Sequence, residues 1–339
     1  ESRMSHLVLH IGTHKTGTTH IQNTLFANRT QLLAHGLCYP KIGRASGQHV
    51  LTTQWIKTLP DFYASRTSAV DDWASITPEQ ETVLLSSEEF SRAGPDRVNF
   101  TELAELARGF TQTTIICVLR TPIDFLQSSY LEVIKKRDCA PIGTFVQEVM
   151  DPGTPDPLHY DPNPLLDQLQ AQVPSARLVF LPYEATRRGP GGLVGGVLAA
   201  AGCSIAPEAL TKTATAKANI SAPVLSAWMA HQISRPAPAG PGLIDLATQA
   251  LAPSLGETSP RLFTQAEHVA LHDHFAPCIA RFERRVRVFA PEFQADPFPP
   301  LTGRFGRDDV PATAWARYAR LIHDARRSTG VLAALSTAA

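Results

Sequence analysis

The residues of this chain that are best suited to chemistry lie near its beginning, in the segment Gly12-Thr-His-Lys-Thr-Gly-Thr-Thr19. A glycine- and threonine-rich loop that leads into a helix presents backbone N–H groups and the positive end of the helix dipole to an anion. Lys15 adds a positive charge, and Thr18 and Thr19 add hydroxyl donors. The loop has the length of a Walker A motif, but Thr18 follows Gly17 where that motif has its lysine. The sequence therefore predicts a phosphate-binding loop of a different type.

Two further groups follow apolar runs later in the chain. Arg120 comes directly after the run Thr113 to Leu119, and its forked guanidinium suits a phosphate dianion better than a lysine would. Glu88 comes shortly after the run Thr82 to Leu85, where a carboxylate would be partly buried. Because burial disfavours a charged carboxylate, we expect a raised pKa for Glu88.

These groups require a particular arrangement of strands. Four short apolar runs alternate with helical patterns, which predicts a parallel sheet covered on both faces. The predicted strands are His6 to Ile11, Thr82 to Leu85, Thr113 to Leu119 and Arg177 to Leu181. Ligands of such sheets bind at the carboxyl ends of the strands, so we expect Lys15, Glu88, Arg120 and Tyr183 to line one crevice.

At these residues the sequence resembles the sulfotransferases that use 3′-phosphoadenosine 5′-phosphosulfate (PAPS). Their first signature is a strand followed by a Lys-x-Gly-Thr-Thr loop that binds the 5′-phosphosulfate, and Lys15 to Thr19 are similar to it. Their second is a strand ending in Arg-x-Pro with a serine eight positions after the arginine, where the 3′-phosphate binds; Arg120 and Ser128 have that spacing. The cofactor-binding residues that the resemblance implies are His14, Lys15, Thr16, Gly17, Thr18, Thr19, His20, Arg120, Ser128 and Tyr183.

The resemblance covers about residues 6 to 230 and includes weaker matches and departures. Tyr183 and Glu184 are similar to a strand-end pair near the adenine, and Asn219 to Ser221 to a turn in bacterial members. His20 replaces the tryptophan that stacks on the adenine in the animal cytosolic branch. That branch also has an Arg-Lys-Gly segment, for which the turn Arg304 to Arg307 is the nearest basic substitute. The departures favour a bacterial-type member.

The chemistry that the resemblance implies is transfer of a sulfuryl group from PAPS to a hydroxyl or amine. Lys15 would stabilise the charge that develops on the departing phosphate. The general base is left open between Glu88 and His49, with Glu89 and His159 as further candidates. Helix capping by Glu88 and a merely polar loop role for His49 are the ordinary alternatives.

Other function classes fit less well. The net charge is zero, with 31 Lys and Arg against 31 Asp and Glu, which argues against nucleic acid as a partner. No apolar run approaches the length of a membrane span. Two alternatives remain: a P-loop kinase of small molecules or nucleotides, which the position of the lysine and the lack of a metal-binding aspartate disfavour, and a non-catalytic module that binds PAPS or its product 3′-phosphoadenosine 5′-phosphate (PAP).

No metal site is expected. His10 and His14 flank the loop, but two histidines four apart across a strand-to-loop boundary do not share a face. We interpret His268, His272 and His274 as surface histidines. The five cysteines are scattered singly and indicate reduced thiols and a cytoplasmic location.

We expect one α/β domain over residues 1–339, with a core at 6–230 and a helical, loop-rich extension at 231–339 packed on it. The acceptor, a small molecule, lipid or carbohydrate, would bind under this extension and the proline-rich segment 151–164. The neutral chain favours an acceptor of low charge. The oligomeric state, a homodimer included, stays open.

Overall fold

The computed structural model describes residues 5–60, 63, 69–77, 82–94, 96–154, 156, 158–211, 223–256 and 258–336. The strands are β1 His6–His10, β2 Leu37–Cys38, β3 Thr82–Ser86, β4 Gln112–Leu119, β5 Arg177–Pro182, β6 Ser259–Pro260 and β7 Arg304–Phe305. The helices are α1 Thr18–Ala27, α2 Arg29–Ala34, α3 Ala69–Ala74, α4 Phe100–Leu106, α5 Pro122–Ile134, α6 Ile142–Met150, α7 Asn163–Gln172, α8 Tyr183–Arg188, α9 Gly192–Ala200, α10 Val224–Ser234, α11 Pro241–Leu255, α12 Gln265–Val286 and α13 Ala312–Ser336.

The contacts within the chain form two compact units. The first unit comprises Glu1–Pro122, Pro155–Asn219 and Phe275–Pro297, and the second comprises Ile123–Thr154, Ile220–His274 and Phe298–Ala339. The expectation of a single domain over residues 1–339 stays a prediction.

The first unit contains a five-stranded sheet in the order β2-β3-β1-β4-β5, in which every pairing is parallel. The four predicted strands are confirmed, and β2 is an additional two-residue edge strand. His10, the last residue of β1, pairs with Ser86 of β3 and Ile116 of β4. The carboxyl ends of the three central strands therefore lie side by side.

Apolar side chains cover both faces of this sheet. Leu7 and Leu9 of β1 belong to a cluster that also contains Leu166 of α7, whereas Val8 packs on the opposite face with Ile21 of α1. All of these side chains are buried. This alternation within a strand buried on both sides confirms the predicted three-layer α/β/α fold.

The order of the strands places a switch point at β1. The chain passes from β1 to β2 and β3 on one side and then crosses to β4 and β5 on the other. In open α/β sheets the crevice beyond the carboxyl ends of the strands at such a point is where ligands bind. The loop that follows β1 lies at this switch point.

The second unit is mainly helical, which confirms the predicted helical C-terminal part. Its buried cluster joins α10, α11 and α13 through side chains that include Met229, Leu251 and Tyr318. The strands β6 and β7 add a small parallel pair. Over the described residues of both units, no helix combines the length and the apolar character that crossing a membrane requires.

Candidate functional site

The loop after β1 is held tightly between its neighbouring strands. The Thr13 N–H donates to the carbonyl oxygen of Val118 at 2.9 Å. Gly12 has φ of 87°, and a Cβ at this position would lie only 2.9 Å from the Cβ of Glu88. Glycine is required here because its conformation is left-handed and the end of β3 lies against it.

Gly17 ends the loop and is the N-cap residue of α1. Its φ is 77°, and a Cβ here would lie 2.6 Å from Cδ1 of Leu193. Because glycine has no side chain to accept their hydrogen bonds, the N–H groups of the first turn and the helix dipole are available to an anion. Thr18 in this turn is buried and Thr19 is exposed. The loop thus ends at an uncapped helix N-terminus, and the binding of a phosphate there stays a prediction.

The hydroxyl of Thr16 has a structural role. Thr16 is fully buried, and its Oγ1 donates to the carbonyl oxygen of Thr13 at 2.5 Å. The hydroxyl thereby closes the turn. The contact of Thr16 with the cofactor stays a prediction.

Lys15, Arg120 and Tyr183 come together beside this turn. Lys15 is half-buried with φ of 61°, and its carbonyl oxygen accepts a hydrogen bond from Nη1 of Arg120 at 3.4 Å. The guanidinium carbon of Arg120 lies 5.1 Å from the centroid of the Tyr183 ring, a cation–π arrangement. Within the described part of the chain, the buried Nε of Arg120 has no hydrogen-bond partner. A buried charged donor without a partner is costly, so an anionic ligand would stabilise this arrangement.

The N-terminus of α8 positions Tyr183. Both carboxylate oxygens of Asp296 accept hydrogen bonds from this turn, Oδ2 from the Glu184 N–H at 2.6 Å and Oδ1 from the Ala185 N–H at 3.0 Å. Asp296 lies far from α8 in the sequence, and no spacing pattern connects them. The carboxylate caps the helix and fixes its first residue, Tyr183.

The two leading candidates for the general base contact each other. Nδ1 of His49 lies 3.8 Å from Oε2 of Glu88 and 2.8 Å from Oγ of Ser87. The same carboxylate oxygen accepts a hydrogen bond from Nε2 of Gln22 at 2.9 Å. The His49 ring also packs on Tyr63, with 4.5 Å between ring centroids. Glu88 and His49 are thus parts of one acid–base pair.

A second acid–base pair lies beside the first. Nε2 of His14 lies 3.5 Å from Oε1 of Glu89, and Nε of Arg92 lies 3.3 Å from Oε2 of the same carboxylate. Burial alone would raise the pKa of Glu89, but the contacts with His14 and Arg92 lower it overall. This pair connects the loop after β1 to the turn after β3.

The pKa of Glu88 differs from the expectation. Burial raises it, but the neighbouring His49 and His14 and the hydrogen bond from Gln22 outweigh burial, so the pKa lies below its ordinary value. The predicted raised pKa is therefore wrong in direction. The pKa of His49 is lowered, because burial disfavours its cation more than the adjacent Glu88 favours it. Near neutral pH the pair consists of a carboxylate and a neutral imidazole.

The remaining predicted residues are more dispersed. His20 is half-buried in the first turn of α1. His159 is buried with φ of 58°, and burial lowers its pKa to about 4. Ser128 lies on α5 in the second unit, whereas Arg120 belongs to the first unit. Their shared role in phosphate binding stays a prediction. Asn219 to Ser221 lie outside the described residues.

The basic turn near the C-terminus is engaged within its own unit. Nη2 of Arg304 donates to the carbonyl oxygen of Pro260 at 3.3 Å, and Arg307 forms an ion pair with Glu267. His268 is fully buried, with its Nδ1 3.2 Å from Nη1 of Arg261. The interpretation of His268 as a surface histidine is therefore wrong, because the side chain packs inward.

Among the described residues, no group of three or more His, Cys, Asp or Glu side chains is placed to hold a metal ion. The surroundings of His10 are those of a core side chain and not of a metal ligand. It is fully buried and its Nδ1 lies 2.8 Å from Oγ of Ser86, while burial lowers its pKa to about 4.

A cavity of about 930 Å³ lies elsewhere in the first unit, along β5. Its lining is largely apolar and includes Val179, Phe180 and Phe289. Neither the acid–base pairs nor the loop after β1 contribute to this lining. The acid–base pairs and the loop after β1 therefore lie apart from this cavity.

Comparison with known proteins gives structural likeness only. No protein-family model matches the chain, and no curated protein does. Among solved structures the chain is similar to a sulfotransferase from Alicyclobacillus acidocaldarius, with a TM-score of 0.46 and 13% identity, covering 85% of this chain and 97% of that one. It is also similar to a retinol dehydratase in complex with androsterone and inactive cofactor PAP. That match has a TM-score of 0.33 and 16% identity, and it covers 60% of this chain and 61% of that one.

Gln22 and Gly47 are among the residues of the site that the sequence pattern did not identify. Gln22 lies on α1 and is only 2% exposed, although its amide is polar. A Cβ at Gly47 would lie 2.6 Å from Cδ of Gln22. Gln22 follows the loop after β1 by one helical turn and lies on the buried face of α1. A polar residue at a buried helical position is the signal in the sequence that could have identified it.

Proposed function

We propose that the chain is a PAPS-dependent sulfotransferase that transfers a sulfuryl group to a hydroxyl or amine of a small-molecule, lipid or glycan acceptor. The observation that carries the proposal is the buried Nε of Arg120, which lacks a partner in the described chain and lies beside the anion-binding turn. A ligand with phosphate groups at both places satisfies this donor and the N-terminus of α1 together.

The donor set fits such a cofactor. The first turn of α1, with Thr18 and Thr19, would hold the 5′-phosphosulfate, while Arg120 and Ser128 would hold the 3′-phosphate. Tyr183 contacts the Arg120 guanidinium and would lie against the nucleoside. His14 and His20 flank the turn and complete the proposed set.

When bound, PAPS supplies a sulfuryl group whose bond to the 5′-phosphate is already activated. This sulfuryl group would pass to the oxygen or nitrogen of the acceptor, with the 5′-phosphate of PAP as the leaving group. Lys15 stabilises the negative charge that collects on the departing phosphate. The proton of the acceptor hydroxyl passes to a carboxylate of the protein. The products are the sulfated acceptor and PAP.

Glu88 is the better candidate for that base. The Glu88 carboxylate is ionised near neutral pH, and because its pKa is lowered, its role as a base depends on its position and not on its basicity. Nδ1 of His49 contacts Ser87, and the His49 side chain is less exposed than that of Glu88, 6% against 16%. We therefore assign proton transfer to Glu88, and to His49 a part in lowering the pKa of that carboxyl.

The five cysteines are free thiols, as is usual in a reducing compartment, and this supports the proposed cytoplasmic location. An uncharged small acceptor agrees with the zero net charge of the chain.

Thermal shift with three nucleotides tests the proposed cofactor. A ligand that binds the folded state raises the melting temperature according to its affinity. We expect a large shift with PAP and a small one with 5′-AMP, which lacks the 3′-phosphate. Equal shifts would remove the role of Arg120 and Ser128. A larger shift with ATP and magnesium than with PAP would favour a kinase instead.

A further inference from the structure

Gln22 occupies a confined position between Gly47 and Glu88. Its side chain is almost completely buried, and Nε2 donates to Oε2 of Glu88 at 2.9 Å. A Cβ on Gly47 would lie 2.6 Å from Cδ and 2.8 Å from each of Nε2 and Oε1 of Gln22. The amide of Gln22 therefore fits only because residue 47 has no side chain.

Glu88 is confined on its other sides as well. Gly12 of the phosphate loop approaches so closely that a Cβ there would lie 2.9 Å from the Cβ of Glu88, and His49 lies 3.8 Å from the carboxylate. The backbone of Glu88 is thus fixed by the loop, while the direction of its carboxylate depends on the hydrogen bond from Gln22. The next residue of α1, Asn23, contacts Oγ of Ser46 instead.

We propose that Gln22 is a positioning residue for the general base. Its amide N–H holds Oε2 of Glu88, which leaves Oε1 to take the proton of the acceptor, and Gly47 provides the room for that amide. This inference rests on the proposed function, in which Glu88 is the base.

The groups around Glu88 determine the direction in which its pKa changes when the Gln22 donor is removed. The Gln22 hydrogen bond, His49 and His14 lower the pKa of Glu88, while burial raises it. The other titratable groups that interact with Glu88 are His10, Tyr39, Tyr63 and Glu89. Removing the donor at position 22 leaves burial less opposed, so the pKa of Glu88 rises. Because the base acts in its ionised form, the acidic limb of the pH–rate profile moves to higher pH.

The experiment compares Gln22→Met, Gly47→Ala and the wild type, with Asn23→Ala as the control. Methionine has about the length of glutamine but no donor, whereas alanine at position 47 displaces the Gln22 amide from the opposite side. We measure kcat, KM and PAP affinity against pH, and the titration of the Glu88 carboxyl by ¹³C NMR. Loss of one general-base contact predicts a fall in kcat of about tenfold or more, with PAP affinity unchanged.

The expected result is that Gln22→Met and Gly47→Ala both raise the Glu88 titration midpoint and move the acidic limb upward, and that Asn23→Ala changes neither. An unchanged Glu88 titration in both variants overturns the positioning role, whatever the activity. If the variants raise the Glu88 titration midpoint but the wild type releases no PAP from PAPS, the Gln22 contact is supported and the proposed function is overturned. Should Gln22→Met fail to fold, Gly47→Ala decides the question by the same two readouts.

Discussion

Replacing Arg120 by alanine isolates the contribution of one guanidinium to cofactor binding. Among the described residues, Arg120 makes one long hydrogen bond, 3.4 Å to the carbonyl oxygen of Lys15, and its buried Nε has no partner. Removal of the guanidinium should therefore weaken ligand binding more than it destabilises the fold. A hydrogen bond to a charged group contributes about 1.5–3 kcal/mol, which corresponds to about a 10- to 100-fold change in Kd.

Isothermal titration with PAP and with 5′-AMP measures this loss. We expect Arg120→Ala to raise the Kd of PAP about 10- to 100-fold and to leave the Kd of 5′-AMP nearly unchanged, because 5′-AMP has no 3′-phosphate. Arg120→Lys serves as the matched control: it keeps the charge but loses the fork and the stacking on Tyr183, so its Kd should be intermediate. Equal losses for both nucleotides, or no loss, would refute the assignment.

Four further predictions concern neighbouring residues. Lys15→Ala should lower kcat by about 10²–10³ and change PAP affinity far less; normal turnover would contradict the role of Lys15. Gly17→Ala should destabilise the fold by about 1–2 kcal/mol or more, because φ is 77° and the new Cβ meets Leu193, and an unchanged melting temperature would be against it. His49→Ala should raise the pKa of Glu88 and move the acidic limb of kcat/KM to higher pH; a shift to lower pH would reverse the electrostatic reasoning. The pKa of His10 is about 4 in the folded state, against an ordinary value of 6.5. As the pH decreases from 6.5 to about 4, His10 is protonated in the unfolded chain but not in the folded one, so the free energy of unfolding should decrease. Thermal melts across that range should show a smaller decline in His10→Gln, and an identical decline would exclude His10 as a contributor.

The sheet could be predicted because its strands are continuous apolar runs with clear ends. The run Thr113 to Leu119 became β4 with one additional residue, and the parallel register placed Glu88 and Arg120 at the same edge. The strand β2 has only two residues and therefore gives no periodic signal. Local pattern predicts elements well where burial on both faces dictates the residue types.

The contacts within the site depend on how distant segments fold back, and local pattern does not encode that. The chain around Gly47 brings His49 against Glu88, and this pairing reversed the expected direction of the Glu88 pKa. Helical spacing likewise could not show that His268 faces inward. In both cases the missing information was the tertiary neighbour and not the residue type.

The most direct test of the proposed function is the release of PAP from PAPS in the presence of a panel of hydroxyl and amine acceptors. Wild-type protein should release PAP only when an acceptor is present, and the sulfate should be found on that acceptor. Glu88→Gln should bind PAP normally and release almost none. Tight PAP binding by the wild type without turnover on any acceptor would contradict the proposal and indicate a binding module.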